Sequence, residues 1–221
     1  MSEKRGRTLA KIAIVDDHPI VREGLTLRIS TQPDLEVCGE AETEAEAFLL
    51  VQATRPDLVI VDISLKGGHG IDLIKRLNAL DTPPKMLVVS GFRESLYAER
   101  AMRAGAMGYL NKQESNDQLL VAIRNVLAGQ HYVSPDLGFR LVNKALGKPT
   151  ESKSPRELLT ARELEVFRLI GEGETSGAIA SRLFLSTHTI DTHRENIKRK
   201  LDIKTAGALT RAAVQWVLEN D

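Results

Sequence analysis

Short apolar runs alternate with helical patterns between residues 11 and 129, and this alternation constrains the fold more than any other feature. The runs are KIAIV (11–15), LEVCGEA (35–41), DLVIVD (57–62), KMLVVS (85–90) and GYLNK (108–112). Segments with helical spacing of apolar residues begin near Ile20, Glu44, Gly70, Glu94 and Asn116. Strands that alternate with helices are typical of βα units around a parallel sheet. The pattern predicts a five-stranded, parallel, doubly wound α/β domain.

Two acids, Asp16 and Asp17, directly follow the first apolar run. Neighbouring negative charges repel each other, and a divalent cation held by oxygen ligands would relieve that repulsion. The residues also allow a simpler interpretation, in which Asp17 caps the next helix, with His18 and Pro19 in its first turn. The dipeptide alone leaves both interpretations open.

Polar side chains also end the later strands. Asp62 ends the third run, Ser90 ends the fourth and Lys112 ends the fifth. The carboxyl ends of parallel strands form one edge of a sheet, where ligands bind. Carboxylates there can bind Mg²⁺ or attack a phosphoryl group, whose oxygens a hydroxyl and an ammonium can hold. Each residue alone is more often a cap or a surface group, but together with Asp16 and Asp17 they indicate a phosphoryl-transfer site.

A polar stretch, GKPTESKSP, separates this region from a purely helical one and predicts a flexible linker around residues 147–156. Four helical segments follow, at about 161–171, 176–183, 187–201 and 205–218. Thr160 and Glu163 have capping-box spacing, and Leu159 and Leu164 are placed as a hydrophobic staple. The C-terminal part is therefore predicted to be all-α.

The third of these segments has two distinct faces. Its apolar stripe consists of Ile190, His193, Ile197 and Leu201. The opposite face carries His188, Asp191, Thr192, Glu195 and Arg199. A short helix, a tight turn and an amphipathic helix form a helix-turn-helix, whose second helix can enter the DNA major groove.

Charge supports that interpretation only locally. Lys plus Arg and Asp plus Glu number 30 each, so the whole chain is neutral. Between Thr192 and Arg211, however, there are six basic residues and only two acidic ones. Such a basic segment suits contacts with DNA phosphates, although runs of Lys and Arg are also commonly a solvated helix face.

The sequence also bears on the compartment. No apolar run is long enough to span a membrane, and MSEKRGRTLA lacks the apolar core of a signal peptide. The single Cys38 fits a reducing compartment. We expect a cytoplasmic protein with no membrane partner.

The set Asp16, Asp17, Asp62, Ser90 and Lys112 resembles the receiver domain of two-component response regulators, over residues 10–130. The resemblance implies a flavodoxin-like fold in which Asp62 accepts a phosphoryl group from a histidine kinase. It also implies that Asp17, Asp62 and the Ser64 carbonyl hold Mg²⁺, that Asp16 acts mainly through water, that Ser90 and Tyr109 form a switch pair, and that Lys112 pairs with the phosphoryl oxygens.

Two residues depart from that family's pattern. Lys66 stands where the family usually has proline, which suggests a more mobile or differently charged loop after Asp62. Gln113 replaces a proline that often follows a cis bond, so we expect a trans bond here.

The segment from about residue 158 to 218 resembles the LuxR-type DNA-binding domain, through LT..E.EV..LI..G and IA..L.LS..TI..H..NI..KL, and we assign the domain to residues 157–221. With the receiver, this makes a response regulator of the NarL/FixJ class, joined by a linker over residues 131–156. The resemblance implies a homodimer on double-stranded DNA with a twofold-symmetric site. The implied DNA contacts are His188, Asp191, Thr192, Arg194, Glu195, Lys198 and Arg199, and the implied dimer contacts are Leu209, Ala213 and Trp216.

Two features of this segment are unusual for the family. Acidic Asp191 and Glu195 cannot contact guanine as arginine does, which leaves the base preference open. Ala178 stands where a glutamate often closes a capping box, so the second helix is expected to begin weakly.

The sequence therefore predicts a phosphorylation-dependent transcription regulator rather than an enzyme, with catalysis limited to its own phosphorylation and dephosphorylation. A Mg²⁺-dependent phosphohydrolase that uses Asp62 or Asp16 as nucleophile is one alternative. A DNA-binding protein that acts without phosphorylation is another. Whether the inactive receiver masks the recognition helix or dimerisation dominates stays open.

Overall fold

The protein forms two compact units, Met1–Leu146 and Gly147–Asp221. The computed structural model describes residues 9–92, 94–114, 116–135, 137–139, 142 and 155–220. The stretch predicted to be flexible, 147–156, lies outside these residues except for its last two. Within the described ranges, none of the helices is long and apolar enough to cross a membrane.

The first unit is built from alternating strands and helices. The strands are β1 (Ala10–Val15), β2 (Leu35–Ala41), β3 (Leu58–Val61), β4 (Ser64–Leu65), β5 (Gly68–His69), β6 (Lys85–Ser90) and β7 (Gly108–Asn111). The helices are α1 (Pro19–Ser30), α2 (Glu44–Thr54), α3 (Gly70–Asn78), α4 (Glu94–Ala104) and α5 (Asn116–Leu127). Five strands form one parallel sheet in the order β2-β1-β3-β6-β7. The predicted doubly wound α/β fold is confirmed.

Helices cover both faces of this sheet. Ile12, Ile60 and Leu87 on the central strands pack with Ile29 of α1 and Ile123 of α5 in one buried cluster. Successive strand side chains point to opposite faces, so the intervening buried strand residues face the other side. There α3 contacts both α2 and α4. Burial on both faces explains why each strand is a continuous apolar run rather than an alternating one.

A small hairpin, which the sequence pattern did not predict, follows β3. Strands β4 and β5 pair antiparallel around Lys66 and Gly67, and Gly67 has the positive φ of 69° that glycine adopts without strain. The N–H of Gly70 donates to the Ile63 carbonyl at 2.7 Å. The loop that carries Lys66 in place of proline is thus held by a hydrogen-bonded ladder.

The chain continues along the sheet edge beyond α5. Tyr132 forms a parallel bridge to Gly108, and the N–H of Tyr109 donates to the Tyr132 carbonyl at 2.9 Å. The N–H of Ser134 donates to the Glu94 carboxylate, at the start of α4, at 2.8 Å. The first residues of the segment that the sequence assigns to the linker therefore pack on β7.

The second unit is all-α over its described residues, as predicted. Its helices are α6 (Pro155–Leu158), α7 (Ala161–Gly171), α8 (Ser176–Arg182), α9 (Thr187–Lys200) and α10 (Ala206–Asn220). The Thr160–Glu163 capping box is present, and Leu159 and Leu164 are both buried beside it. Thr175 caps α8 alone, by accepting from the N–H of Ala178, because no glutamate completes a box there.

The residues predicted as dimer contacts lie in the core of this unit. Leu209 and Ala213 are 0% exposed and Trp216 is 6% exposed. The Trp216 ring lies 5.7 Å from that of Phe167, between ring centroids. These three side chains are buried within one chain, and their role as dimer contacts stays a prediction. The exposed apolar residues of α10 are Val214 and Leu218.

Candidate functional site

Three carboxylates and a lysine meet at the C-terminal edge of the sheet. Strands β1, β3 and β6 are parallel neighbours, so the residues that follow or end them lie side by side. Ligand atoms of Asp16, Asp17, His18 and Asp62 all lie within 4.8 Å of one another. The strand order therefore brings together the acidic residues that the sequence singled out.

Lys112 joins two of these carboxylates. Its Nζ lies 2.7 Å from Asp16 Oδ2 and 2.7 Å from Asp62 Oδ2. The other oxygen of Asp62 accepts from the N–H of Ile63 at 2.7 Å. Burial raises the pKa of the Asp62 carboxyl, which the Lys112 ammonium opposes. Burial lowers the pKa of Lys112, but the carboxylates of Asp62 and Asp16 outweigh this and raise it, so the lysine stays charged.

The paired acids at the end of β1 do not cap α1. His18 occupies the N-cap position without a side-chain cap, and Pro19 is in the first turn. The N–H of His18 donates to Asp16 Oδ1 at 2.9 Å. Asp17 Oδ1 is buried without a hydrogen-bond partner, although His18 Nδ1 lies 2.8 Å away. The capping interpretation of Asp17 is therefore wrong.

The donor set fits a divalent cation with oxygen ligands. Burial raises the pKa of the Asp17 carboxyl, the charge of His18 lowers it and that of Asp16 raises it. With Asp62 included, three carboxylates lie beside the ammonium of Lys112 and the imidazole of His18, so the cluster keeps an excess of negative charge. Carboxylate oxygens are the ligands that Mg²⁺ prefers, and the partnerless Asp17 oxygen lies among them.

The predicted switch residues adjoin this cluster. Ser90 is fully buried, and Tyr109 is 2% exposed, with its hydroxyl donating to the Phe92 carbonyl at 2.9 Å. Burial raises the pKa of the Asp62 carboxyl and of the Tyr109 hydroxyl, and the neighbouring Ser90 hydroxyl acts in the opposite direction on both. Ser90 is thus close to both groups, and the buried Tyr109 side chain points inward.

Arg22 is a site neighbour that the sequence patterns did not reveal. It lies on α1, and its buried Nη1 donates to the backbone carbonyl of Asp16 at 2.6 Å. Its other nitrogens bind Glu40 at 3.2 Å and Glu42 at 2.7 Å. A lone arginine in an amphipathic helix gives no signal of such contacts, because they depend on how α1 packs against β2.

In the second unit, α9 is the second helix of the helix-turn-helix. Ile190 and Ile197 are fully buried, whereas His188, Asp191, Thr192, Glu195 and Arg199 are exposed and Arg194 and Lys198 are half-buried. Two of the exposed face's acids already have partners, because Asp191 accepts from Ser176 and Glu195 pairs with Lys198 at 2.7 Å. The predicted two-faced helix is therefore present.

Buried polar contacts fix α9 against α7. Lys200 Nζ lies 2.5 Å from the Glu163 carboxylate, which also closes the capping box. Burial raises the pKa of Glu163, but Lys200 and Thr160 outweigh it and lower the pKa. Burial, with Arg162, lowers the pKa of His193, which is half-buried on the inner side of α9. His193 thus packs as an inner-face residue, as its place on the apolar stripe predicts.

Two family models match this chain. Residues 12–124 match the response regulator receiver domain. Residues 157–213 match the bacterial regulatory proteins of the luxR family. The two matches cover the α/β unit and the helix-turn-helix unit respectively.

Known proteins match across most of the chain. The oxygen regulatory protein NreC of Staphylococcus epidermidis is 33% identical over 211 residues, which are 93% of this chain and 97% of that protein. Among solved structures, a LuxR-family response regulator from Aurantimonas sp. SI85-9A1 is 35% identical with a TM-score of 0.57, over 63% of this chain and 99% of that one. A structure of two RcsB dimers bound to two parallel DNAs is 25% identical with a TM-score of 0.56, over 92% of this chain and 97% of that one.

Proposed function

This chain belongs to the two-component response regulators that join a receiver domain to a LuxR-type DNA-binding domain, and on that premise we propose that Asp62 is its phosphoacceptor. The family consists of DNA-binding regulators of transcription. We assign the receiver to residues 10–130, the linker to 131–156 and the DNA-binding domain to 157–221. A protein that binds DNA and receives phosphate from a histidine kinase works in the cytoplasm.

The position of Asp62 beside Lys112 carries this proposal. One Asp62 oxygen attacks the phosphorus of a kinase phosphohistidine, the P–N bond breaks and an acyl phosphate forms. Lys112 Nζ, which lies 2.7 Å from Asp62 Oδ2, can then pair with the negatively charged oxygens of the bound phosphoryl group. Phosphoryl transfer requires mainly such positioning and charge stabilisation. Dephosphorylation would be the attack of water on the phosphorus of this acyl phosphate, which releases phosphate and restores the Asp62 carboxylate.

Asp17 and Asp62, with the Ser64 carbonyl, would hold Mg²⁺, and Asp16 would act mainly through water. When bound, the ion screens the negative charge that the carboxylate and the phosphoryl group bring together. The Asp17 oxygen without a hydrogen-bond partner and the excess negative charge of the cluster support this assignment. Lys112 holds Asp16 and Asp62 in place independently of the ion.

Ser90 and Tyr109 would report phosphorylation. The Ser90 hydroxyl can move onto a phosphoryl oxygen, which changes the space that the inward Tyr109 ring occupies. The surface formed by α4, β7 and α5 then differs between the two states. A near-complete switch requires phosphorylation to favour the active state by about 5 kcal/mol.

The exposed face of α9 would read the DNA. His188, Asp191, Thr192 and Glu195 face outward for base contacts, and Arg194, Lys198 and Arg199 supply phosphate contacts. The related RcsB structure contains dimers on DNA, which supports a homodimer on a twofold-symmetric site. The exposed apolar residues Val214 and Leu218 of α10 fit a protomer contact better than the buried residues of that helix.

Phosphorylation with a small donor tests the assignment. We would incubate the protein with Mg²⁺ and acetyl phosphate and measure hydroxylamine-labile phosphate, oligomeric state and DNA affinity. Asp62→Asn should abolish incorporation. Asp57→Asn is the matched control, because Asp57 precedes the same strand at its opposite end and binds the N–H of Lys11. Incorporation that persists in Asp62→Asn would refute the proposal, as would equal loss in both variants.

A further inference from the structure

Arg22 holds the backbone that orients the paired acids. Its guanidinium donates to the Asp16 carbonyl, and that carbonyl belongs to the peptide group between Asp16 and Asp17. The orientation of this peptide plane sets the direction in which the Asp17 side chain leaves the backbone. We propose that Arg22 is a positioning residue for the cation site, an inference that rests on the proposed function of that site.

The other bonds to Asp16 show why this one matters. Its N–H donates to the Ala41 carbonyl at 3.1 Å, and its carboxylate accepts from the N–H of His18 and from Lys112. These contacts fix the strand and the Asp16 side chain. The carbonyl bond to Arg22 fixes the next peptide group, and Asp17 itself has a carboxylate oxygen without a hydrogen-bond partner. Apart from the 2.8 Å contact with His18 Nδ1, the Asp17 carboxylate therefore depends on its backbone for orientation.

The acidic partners of Arg22 hold the guanidinium itself in place. Glu40, at the end of β2, binds Nε, and Glu42, just before α2, binds Nη2. Glu40 also accepts from the Thr26 hydroxyl on α1 at 2.7 Å. Three nitrogens engaged in three directions leave the side chain one orientation, since the guanidinium is planar and its donors form a rigid fork. A lysine carries its three donors on one nitrogen, so it cannot reproduce contacts that three separate nitrogens make.

Removing Arg22 is expected to lower the affinity for Mg²⁺ and to leave the rate of phosphoryl transfer at saturating Mg²⁺ nearly unchanged. Partners that orient metal ligands typically change metal affinity by about tenfold or more when they are removed. Asp62 and Lys112 keep their contacts without Arg22. In Arg22→Met and Arg22→Lys we therefore expect the Mg²⁺ concentration for half-maximal phosphorylation to rise about tenfold, and the rate at saturating Mg²⁺ to stay within about twofold.

Arg28→Met is the matched control. Arg28 lies on the same helix and pairs with Asp117 at 2.6 Å, away from the acidic cluster. Calorimetric titration with Mg²⁺ alone, and thermal melting, would be measured on the wild type and the three variants. A midpoint shift in both Arg22 variants that Arg28→Met lacks supports the inference. It is overturned by unchanged Mg²⁺ midpoints in the Arg22 variants, by a shift that Arg22→Lys does not share, or by an equal shift in the control.

The two proposals fail in distinguishable ways. A wild type that takes up no phosphate refutes the role of Asp62, whereas the calorimetric comparison still decides the role of Arg22. A wild type that is phosphorylated, with Arg22 variants that bind Mg²⁺ as tightly, refutes the role of Arg22 alone.

Discussion

Replacing Gly70 by alanine should displace the backbone at Asp62, the proposed phosphoacceptor. A Cβ on Gly70 would lie 1.9 Å from the Asp62 carbonyl oxygen and 2.9 Å from the carbonyl carbon. Real Cβ contacts are essentially never under 3.0 Å, so the Asp62 carbonyl or α3 must move by about 1 Å. The N–H of Gly70 is bonded to the Ile63 carbonyl, so such a shift is transmitted directly to the chain around Asp62.

The size of the effect follows from that displacement. Overpacking of this kind typically costs about 1–3 kcal/mol of folding free energy. A misplacement of about 1 Å at a reacting group can cost about 100-fold in rate. We expect Gly70→Ala to fold, to melt at a lower temperature and to be phosphorylated by acetyl phosphate about 100-fold more slowly at saturating Mg²⁺.

Gly24→Ala provides the comparison. Gly24 is inside α1, and a Cβ there would meet nothing within 4 Å. Alanine inside a helix is favoured over glycine by about 0.5–1 kcal/mol, so this variant should be slightly more stable and react at the wild-type rate. A Gly70→Ala protein that is phosphorylated as fast as Gly24→Ala would refute the reasoning, because the close approach would then not constrain Asp62.

Three further outcomes are expected in the DNA-binding unit. Changing Lys198 and Arg199 together to alanine should weaken DNA binding and reduce the slope of log K against log salt by about 2 in gel-shift titrations, and an unchanged slope would place both residues away from the phosphates. The pKa of Glu163 is lower in the folded chain than its usual value of 4.5, so the ionised carboxylate stabilises the fold at pH values above 4.5. This stabilisation is lost as the pH falls through the folded pKa. Glu163→Gln should therefore reduce the decline in melting temperature at acid pH. Gly171→Ala should destabilise the unit by about 1–3 kcal/mol in urea titrations, because its Cβ would lie 2.4 Å from the Ala213 carbonyl oxygen, and unaltered stability would contradict that clash.

The receiver fold was predictable because its signals are long and repeated. Burial on both sheet faces produces continuous apolar runs, and strands that end in polar residues place those residues at one edge. The positions of Asp16, Asp62 and Lys112 beside one another follow from that rule. The β4–β5 hairpin was not predictable in the same way, since two-residue strands carry no periodicity.

The points that the sequence could not decide share a physical cause. The dipeptide Asp16-Asp17 allowed a helix cap as well as a cation site, and only the folded chain shows that the first turn of α1 uses His18 and Pro19. Apolar spacing on a helix cannot distinguish a core from an interface, and the residues predicted as dimer contacts, such as Trp216, are buried within one chain. Arg22 was missed because its partners lie on β2 and just before α2, and only tertiary packing brings them together.

The bridge between Tyr132 and the β7 edge changes where the receiver can be cut. A shortened chain that stops at residue 130 would remove the acceptor of the Tyr109 N–H and leave unpaired backbone groups along the strand. Unpaired strand edges invite pairing with other chains and aggregation. An isolated receiver that ends after Ser134 would keep both this edge and the bond to Glu94, and should remain monodisperse where the shorter one does not.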